Sequence, residues 1–310
     1  MHGAPHPFTL RQLQYAVAVA DELSFRKAAE RCRVAQPSLS AQIAQLEDAL
    51  GTRLFERGQR RVLVTAAGRA LLERARALLV QADDLGVAAR RASDPLSGPL
   101  RIGVIPTISP YLLPSVAPRL RAKLPRLRIA WREDKTATLL AALDAGELDA
   151  ALLALDGSMS ELVHETIAVD RFLLAVPRNH PLAEGAAPVA GSELRRDDVL
   201  LLDDGHCFRD QALEVCTRAR AHESELRATS LATLVQMVAG GAGITLLPAL
   251  SAPTEARAAG LATRPIAVPS AQRTIALVWR RRSAVEPALR SVAEIVREAY
   301  PVTRSSARAR

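Results

Sequence analysis

Two cysteines nine positions apart, Cys207 and Cys216, are the residues of this 310-residue chain best suited to covalent chemistry. A thiolate attacks electrophilic oxygen and sulfur, and two thiols can store two electrons as a disulfide. They lie in the string Leu202-Asp203-Asp204-Gly205-His206-Cys207-Phe208-Arg209-Asp210-Gln211-Ala212-Leu213-Glu214-Val215-Cys216. Asp203 or Asp204 is expected to cap a helix beginning near Gly205, placing Cys207 in its first turn. Amide dipoles at a helix start and the nearby Arg209 favour thiolate there, and the aspartates oppose it. The plain alternative is two ordinary cysteines on an amphipathic helix, one of them buried. As continuous helix, nine residues rise roughly 13 Å, whereas the Cα atoms of a disulfide are about 6 Å apart. An oxidant joining these two sulfurs would have to refold the segment, as a switch requires.

The rest of the composition limits the setting. Three cysteines, an odd number, exclude a secreted disulfide scaffold and point to a reducing cytoplasm. Six scattered histidines and three cysteines form no metal-ligand cluster, and neither a metal nor another cofactor is expected. No apolar run approaches the ~18 residues of a membrane helix. The opening MHGAPHPFTL lacks the pattern of a signal peptide, so no membrane partner is expected. At 49% hydrophobic residues, sizeable cores are possible. The formal charge of +8 is uneven: residues 1–95 carry 14 Lys and Arg against 10 Asp and Glu, 96–279 carry 19 against 20, and 280–310 carry 8 against 3. Since 38 of the 41 basic residues are Arg, charge alone is a weak pointer to nucleic acid.

Hydrophobic periodicity supplies the elements. Helices are expected over Thr9 to Asp21, over Phe25 to Cys32 behind a Ser24 cap, and from Pro37 to Leu50 with Gly51 closing the last. Short extended pieces follow around Leu54–Glu56 and Arg61–Val64, with Gly58 between them. The proline-free stretch Thr65–Arg91 carries Leu71, Ala75, Leu78, Ala82, Leu85 and Ala89 at heptad spacing, the seam of a dimerising helix roughly 40 Å long. Ser93 to Pro99 is a breaker-rich linker. Beyond it, strands are expected at Leu100–Ile105, Leu127–Trp131, Asp149–Leu153, Phe172–Val176, Gly243–Leu247 and Thr274–Val278. Helices are expected at Pro110–Lys123, Thr136–Ala145, Ser230–Ala239 and Val285–Ala299. This alternation predicts an α/β domain with a largely parallel sheet, divided into two lobes.

Phe25 to Leu50 has the layout of a helix-turn-helix. Ala28 and Ala29 allow close crossing, and Leu39, Ile43, Leu46 and Leu50 form a buried face. Gln36, Pro37, Ser38, Ser40 and Gln42 lie on or beside the exposed start of the second helix, where short polar side chains suit major-groove edges. Arg53, Arg57 and Arg60 flank it, and the Arg57–Arg61 turn suits a wing against phosphates. A solvated helical hairpin is the competing reading. Cys32, on the inner side of the first helix, reads as a small buried hydrophobe.

The string SFRKAAERCRVAQPSLSAQIAQLEDALGTRLFER, Ser24 to Arg57, closely resembles the LysR-type transcriptional regulators. That resemblance implies a winged helix-turn-helix at 1–65, a dimerising linker helix at 66–92, a hinge at 93–99, a two-lobed, periplasmic-binding-protein-like redox-sensing domain at 100–303 and a basic tail at 304–310. It further implies promoter double-stranded DNA and RNA polymerase as partners, and a dimer that pairs into a tetramer. Four segments resemble the hydrogen-peroxide sensors of that family: LDDGHCFRDQALEVC (202–216), IPTISPYLLP (105–114), RATSLATLVQMVAGGAGITLLPAL (227–250) and QRTIALVWR (272–280). The resemblance makes Cys207 peroxidatic and Cys216 resolving. It assigns Thr107, Thr136, His206, Arg209, Asp210 and Arg273 to a peroxide pocket, and a cellular dithiol as reductant. Ala221 to Leu226 departs from the pattern, with Glu225 near a position where histidine is common. The competing functions are a LysR-type regulator gated by a small metabolite between the lobes and, from another class, a thiol peroxidase. The expectation is a regulator, not an enzyme.

Overall fold

The computed structural model describes residues 6–57, 62–91, 94–185 and 187–301, in two compact units, Met1–Arg90 and Arg91–Arg310. The first unit opens with α1 (Leu10–Glu22), α2 (Phe25–Cys32) and α3 (Gln36–Leu50). Thr9 and Gln12 form a reciprocal capping box at α1, and the Ser24 hydroxyl accepts from the Lys27 amide at α2. Left-handed Leu23, Arg33 and Gly51 end the three helices. Leu39, Ile43 and Leu46 are fully buried against Leu13, Val19, Ala28 and Ala29, while Leu50 is only half-buried. Glu47 accepts the amides of Leu54 and Phe55, at 2.7 and 3.1 Å, and so directs the chain into the hairpin of β1 (Phe55–Arg57) and β2 (Val62–Val64). The turn expected at Gly58 lies outside the described residues, as do Arg60 and Arg61.

The long helix α4 (Ala66–Arg91) divides the expected heptad seam. Leu72 and Ala75 are buried in the core of their own unit, with Leu71 and Leu79 packed against it. Leu78 and Leu85 stand 45% and 72% exposed. The first half of the seam therefore serves intramolecular packing.

In the second unit come β3 (Gly98–Val104), α5 (Ser109–Lys123), β4 (Leu127–Glu133), α6 (Thr136–Asp144), β5 (Ala150–Ala154), β6 (Val163–Val176), β7 (Asp198–Leu202), α7 (Cys207–Ala219), β8 (His222–Ala228), α8 (Leu231–Ala239), β9 (Ile244–Pro248), α9 (Ala252–Ala258), β10 (Ala262–Pro265), β11 (Gln272–Trp279) and α10 (Glu286–Ala299). The strand order is β4-β3-β5-β11-β6-β9-β7-β8, with β10 beside β6. Parallel pairs β3–β4, β3–β5, β7–β8 and β7–β9 fill the two ends. Between them β6 and β11 run antiparallel to their neighbours, so the sheet is mixed and not largely parallel. β6 belongs to both lobes, its first part pairing with β11 and Phe172–Ala175 pairing with β9. Only its apolar end reads as a strand in sequence. Residues 163–171 alternate buried and exposed positions and carry charges, as a half-covered antiparallel strand does.

The second lobe's core fixes α7. Phe208, Ala212, Val215, Cys216 and Ala219 form a buried stripe at helical spacing, packed with Val199–Leu202 of β7 and Leu234, Val235 and Val238 of α8. Gly243 leads into β9 at φ +138°, where a Cβ would lie 2.3 Å from the Asp198 carbonyl oxygen. Gly243→Ala is expected to cost at least about 2 kcal/mol by straining the β7–β9 junction, measurable by urea unfolding. An unchanged midpoint would refute that constraint.

Candidate functional site

Cys207 is the first residue of α7 and is half-buried. The helix boundary differs from expectation in one respect: His206 is its N-cap, with no side-chain capping bond, and neither aspartate caps it. Asp203 and Asp204 instead bind cations. The Lys135 ammonium donates to the Asp204 carbonyl at 2.7 Å and stands 3.4 Å from both Asp203 carboxylate oxygens. Gly205, at φ +88°, makes the turn before His206, and a Cβ there would meet the Lys135 stem at 3.1 Å.

A narrow cleft lies at Cys207, lined by Ile105, Pro106, Thr107, Lys135, Thr136, His206 and Phe208. Cys207 and Thr136 open α7 and α6, and Thr107 precedes α5, so the positive ends of three helices surround it. Two of its buried polar atoms lack a directed hydrogen bond. Thr136 Oγ1 forms no hydrogen bond, and His206 Nε2 has no directed one although it lies 3.1 Å from Asp203 Oδ1. Burial, then the Lys135 charge, lowers the His206 pKa, against Asp203 and a hydrogen bond with the Thr229 backbone. An imidazole with a lowered pKa and a Thr136 hydroxyl without a hydrogen-bond partner thus line the cleft beside the cysteine.

Thr107 is held from behind. Arg273 Nη1 donates to its hydroxyl oxygen at 2.7 Å and Nη2 to its carbonyl at 3.2 Å. With that lone pair occupied, the Thr107 hydroxyl proton remains available to an acceptor. Arg273 Nε donates to Asp170 at 3.0 Å, both side chains being fully buried, and the guanidinium lies 5.5 Å from the Phe208 ring centroid. Asp170 also accepts the Leu250 amide and the Tyr300 hydroxyl.

Two residues assigned to the pocket do not line it. Arg209 turns to Asp204, Glu223 and the Leu202 carbonyl, and Asp210 is exposed on α7. The Arg209 guanidinium is taken up by these acidic partners and does not line the cleft. Cys216 is buried on the inner face of α7, where burial and then the charge of Glu223 push its thiol pKa up to about 11. The two thiols are free, and the intact helix keeps their Cα atoms roughly 13 Å apart. Glu225 is exposed on β8. Cys32 is half-buried, its thiol raised by burial. Among the described residues there is no group of three metal-ligating side chains, and no helix is long and apolar enough to cross a membrane.

On the helix-turn-helix, Gln36, Pro37 and Ser38 are exposed at the start of α3, Ser40 and Gln42 are half-buried, and Arg53 is exposed. Gln42 donates to Gln45 at 3.2 Å, which orders that face. Arg57 closes β1, and Arg60 falls outside the described residues. Sequence reasoning missed Lys135, Asp170 and Phe208. Each carries its role through a partner more than 30 positions away, a signal no local spacing contains.

Comparison with known proteins follows the same lines. The family described as "Bacterial regulatory helix-turn-helix protein, lysR family" matches residues 10–69, and "LysR substrate binding domain" matches 93–301. The "Hydrogen peroxide-inducible genes activator" of Pectobacterium carotovorum is 44% identical over 290 residues, 93% of this chain and 96% of that protein. The "DNA-binding transcriptional dual regulator OxyR" of Escherichia coli K12 is 43% identical over 93% of this chain and 94% of its own. A cysteine-to-aspartate variant of full-length OxyR from Pseudomonas aeruginosa superposes with a TM-score of 0.74 at 34% identity, covering 94% of this chain and 96% of that one. The peroxide-bound cysteine-to-serine variant of OxyR from Corynebacterium glutamicum gives 0.64 at 36%, covering 96% and 94%.

Two outcomes test this geometry. With its thiol ionising near 11, Cys216 holds roughly a thousandth of its thiolate near pH 8, so iodoacetamide should label Cys207 well before Cys216. Equal labelling by mass spectrometry would contradict the burial. Arg273→Ala leaves Asp170 buried without its counter-ion and should cost about 3–5 kcal/mol in urea unfolding, part of which Asp170→Asn restores in the double variant.

Proposed function

The chain belongs to the LysR family of bacterial transcriptional regulators, as an OxyR homologue, and we propose that it senses hydrogen peroxide through Cys207 and Cys216. The observation that carries this reading is the narrow cleft at Cys207, walled by helix starts, with a buried imidazole and a Thr136 hydroxyl that has no hydrogen-bond partner. Sites for metabolites are typically 300–1,000 Å³, whereas a molecule of two oxygen atoms needs little room and several hydrogen bonds.

In the proposed reaction the Cys207 thiolate attacks one peroxide oxygen, an S–O bond forms as the O–O bond breaks, and the departing hydroxide takes a proton to become water. Thr107, oriented by Arg273, donates to the leaving oxygen, and Thr136 and His206 hold the other end. The resulting sulfenic acid condenses with the Cys216 thiol, expelling a second water and leaving a Cys207–Cys216 disulfide. Closing it unwinds α7, and with it part of the second lobe's core. Reduction by a cytoplasmic dithiol, two electrons and two protons, resets the chain.

The output is read on promoter DNA. The start of α3 enters the major groove, with Gln36, Ser38, Ser40 and Gln42 at base edges and Arg53, Arg57 and Arg60 on phosphates. Exposed Leu78 and Leu85 on α4 pair with a second copy, and two such dimers form the tetramer whose rearrangement alters contact with RNA polymerase. Arg209 and Asp210, removed from the cavity, act at most after α7 has moved.

Stoichiometric peroxide should yield a Cys207–Cys216 bond by mass spectrometry and a changed promoter footprint, both abolished by Cys207→Ser. Thr107→Val should slow sulfenic acid formation about a hundredfold. A Cys207→Ser variant that still responded would establish a different effector.

A further inference from the structure

We propose that Lys135 is a positioning residue, a latch that ties the β7–α7 loop to the start of α6 and holds Cys207 over its cavity while the chain is reduced. The inference rests on the redox reading of Cys207 and Cys216 but concerns a residue outside that pair. Lys135 is the N-cap of α6, in the first lobe, and reaches residues 68 and 69 positions further on. Its ammonium donates to the Asp204 carbonyl at 2.7 Å and forks across both oxygens of Asp203. Its stem lies against Gly205, where no side chain intervenes. The bond to the carbonyl is charge-assisted and fixes backbone, not a mobile side chain.

The loop's other charged contacts stay within its own lobe. Asp204 binds Arg209 and Arg227, and Asp203 approaches His206. Those pairs can travel with the loop as it moves, but the Lys135 bonds cannot, because their donor stands on α6. Bringing Cys216 to Cys207 displaces residues 203–206 and breaks them. The latch therefore stabilises the reduced state selectively, opposing disulfide closure. Lys135 and Asp203 are 38% and 34% exposed, so solvent screens their attraction and the effect is modest, three- to tenfold.

The test compares the full-length chain with K135Q and K135R. Peroxide is added by stopped flow, sulfenic acid is trapped to time the first step, and disulfide closure and midpoint potential are measured separately. K135Q should close three to ten times faster and shift the dithiol–disulfide equilibrium toward oxidation by the same factor. At about 30 mV per tenfold, that lowers the potential by about 15–30 mV. K135R, which keeps the charge, should restore both toward the unsubstituted values. General loosening of the fold would not be rescued by arginine in closure rate and potential together. A normal Cys207–Cys216 bond with closure in K135Q less than threefold faster than in the unsubstituted chain and a potential lowered by less than about 15 mV overturns the latch alone. Absence of that bond in the unsubstituted chain overturns the redox reading, and the latch with it.

Discussion

The buried ion pair between Arg273 and Asp170 is the interaction on which the thiol site depends. The two residues face each other directly across β11 and β6, at the point where the lobes share a strand. Burying both charges costs several kcal/mol per ion unless each remaining donor and acceptor is satisfied. Here they are: Arg273 spends its other donors on Thr107, and Asp170 accepts from Leu250 and Tyr300. One guanidinium thereby joins the β3–α5 loop to the sheet and touches the ring of Phe208, the residue after Cys207. Phe208 in turn meets Phe172 edge-on, with ring centroids 5.1 Å apart. The orientation of the Thr107 hydroxyl is a consequence of satisfying a buried charge.

α7 has two incompatible tasks under the proposed chemistry. Its stripe from Phe208 to Ala219 is part of the second lobe's core, and that packing keeps the sulfurs apart. Joining them sacrifices apolar burial worth about 1.5–3 kcal/mol for a side chain the size of phenylalanine alone. Stabilisation of the reduced fold makes the disulfide easier to reduce than a structural one, which thiol buffers cannot touch. A bond that must be reversed benefits from a native state that resists it.

The sequence was legible wherever a local pattern decided the outcome. The caps at Ser24 and Gly51, the buried spacing of Leu39, Ile43 and Leu46, and the helices around Thr136 and Val285 all follow from residues within one or two turns. It failed where partners are distant. Asp203 and Asp204 looked like caps because capping is a local propensity, but Lys135 and Arg209 offered them charge instead. Arg209 looked like a neighbour of Cys207 by number, but Asp204, Glu223 and the Leu202 carbonyl take up its guanidinium instead. The first half of β6 and all of β8 carry alternating charges that look like loop until a neighbouring strand covers one face. For Arg273 and Thr107, family resemblance and not spacing singled out residues that prove to be bonded to each other across 166 positions.

The small size of the cavity has a consequence for how a signal is recorded. At a ceiling of about 1.5 kcal/mol per non-hydrogen atom, a two-atom ligand gains at most about 3 kcal/mol, so its dissociation constant is millimolar or weaker. Occupancy at such affinity reports almost nothing about trace concentrations. A site of this kind is instead read by the rate at which a covalent bond is made, and the product outlasts the encounter. Such a receptor behaves as a dosimeter: it sums exposure until an independent reductant clears the record, and its threshold is the balance of two rates.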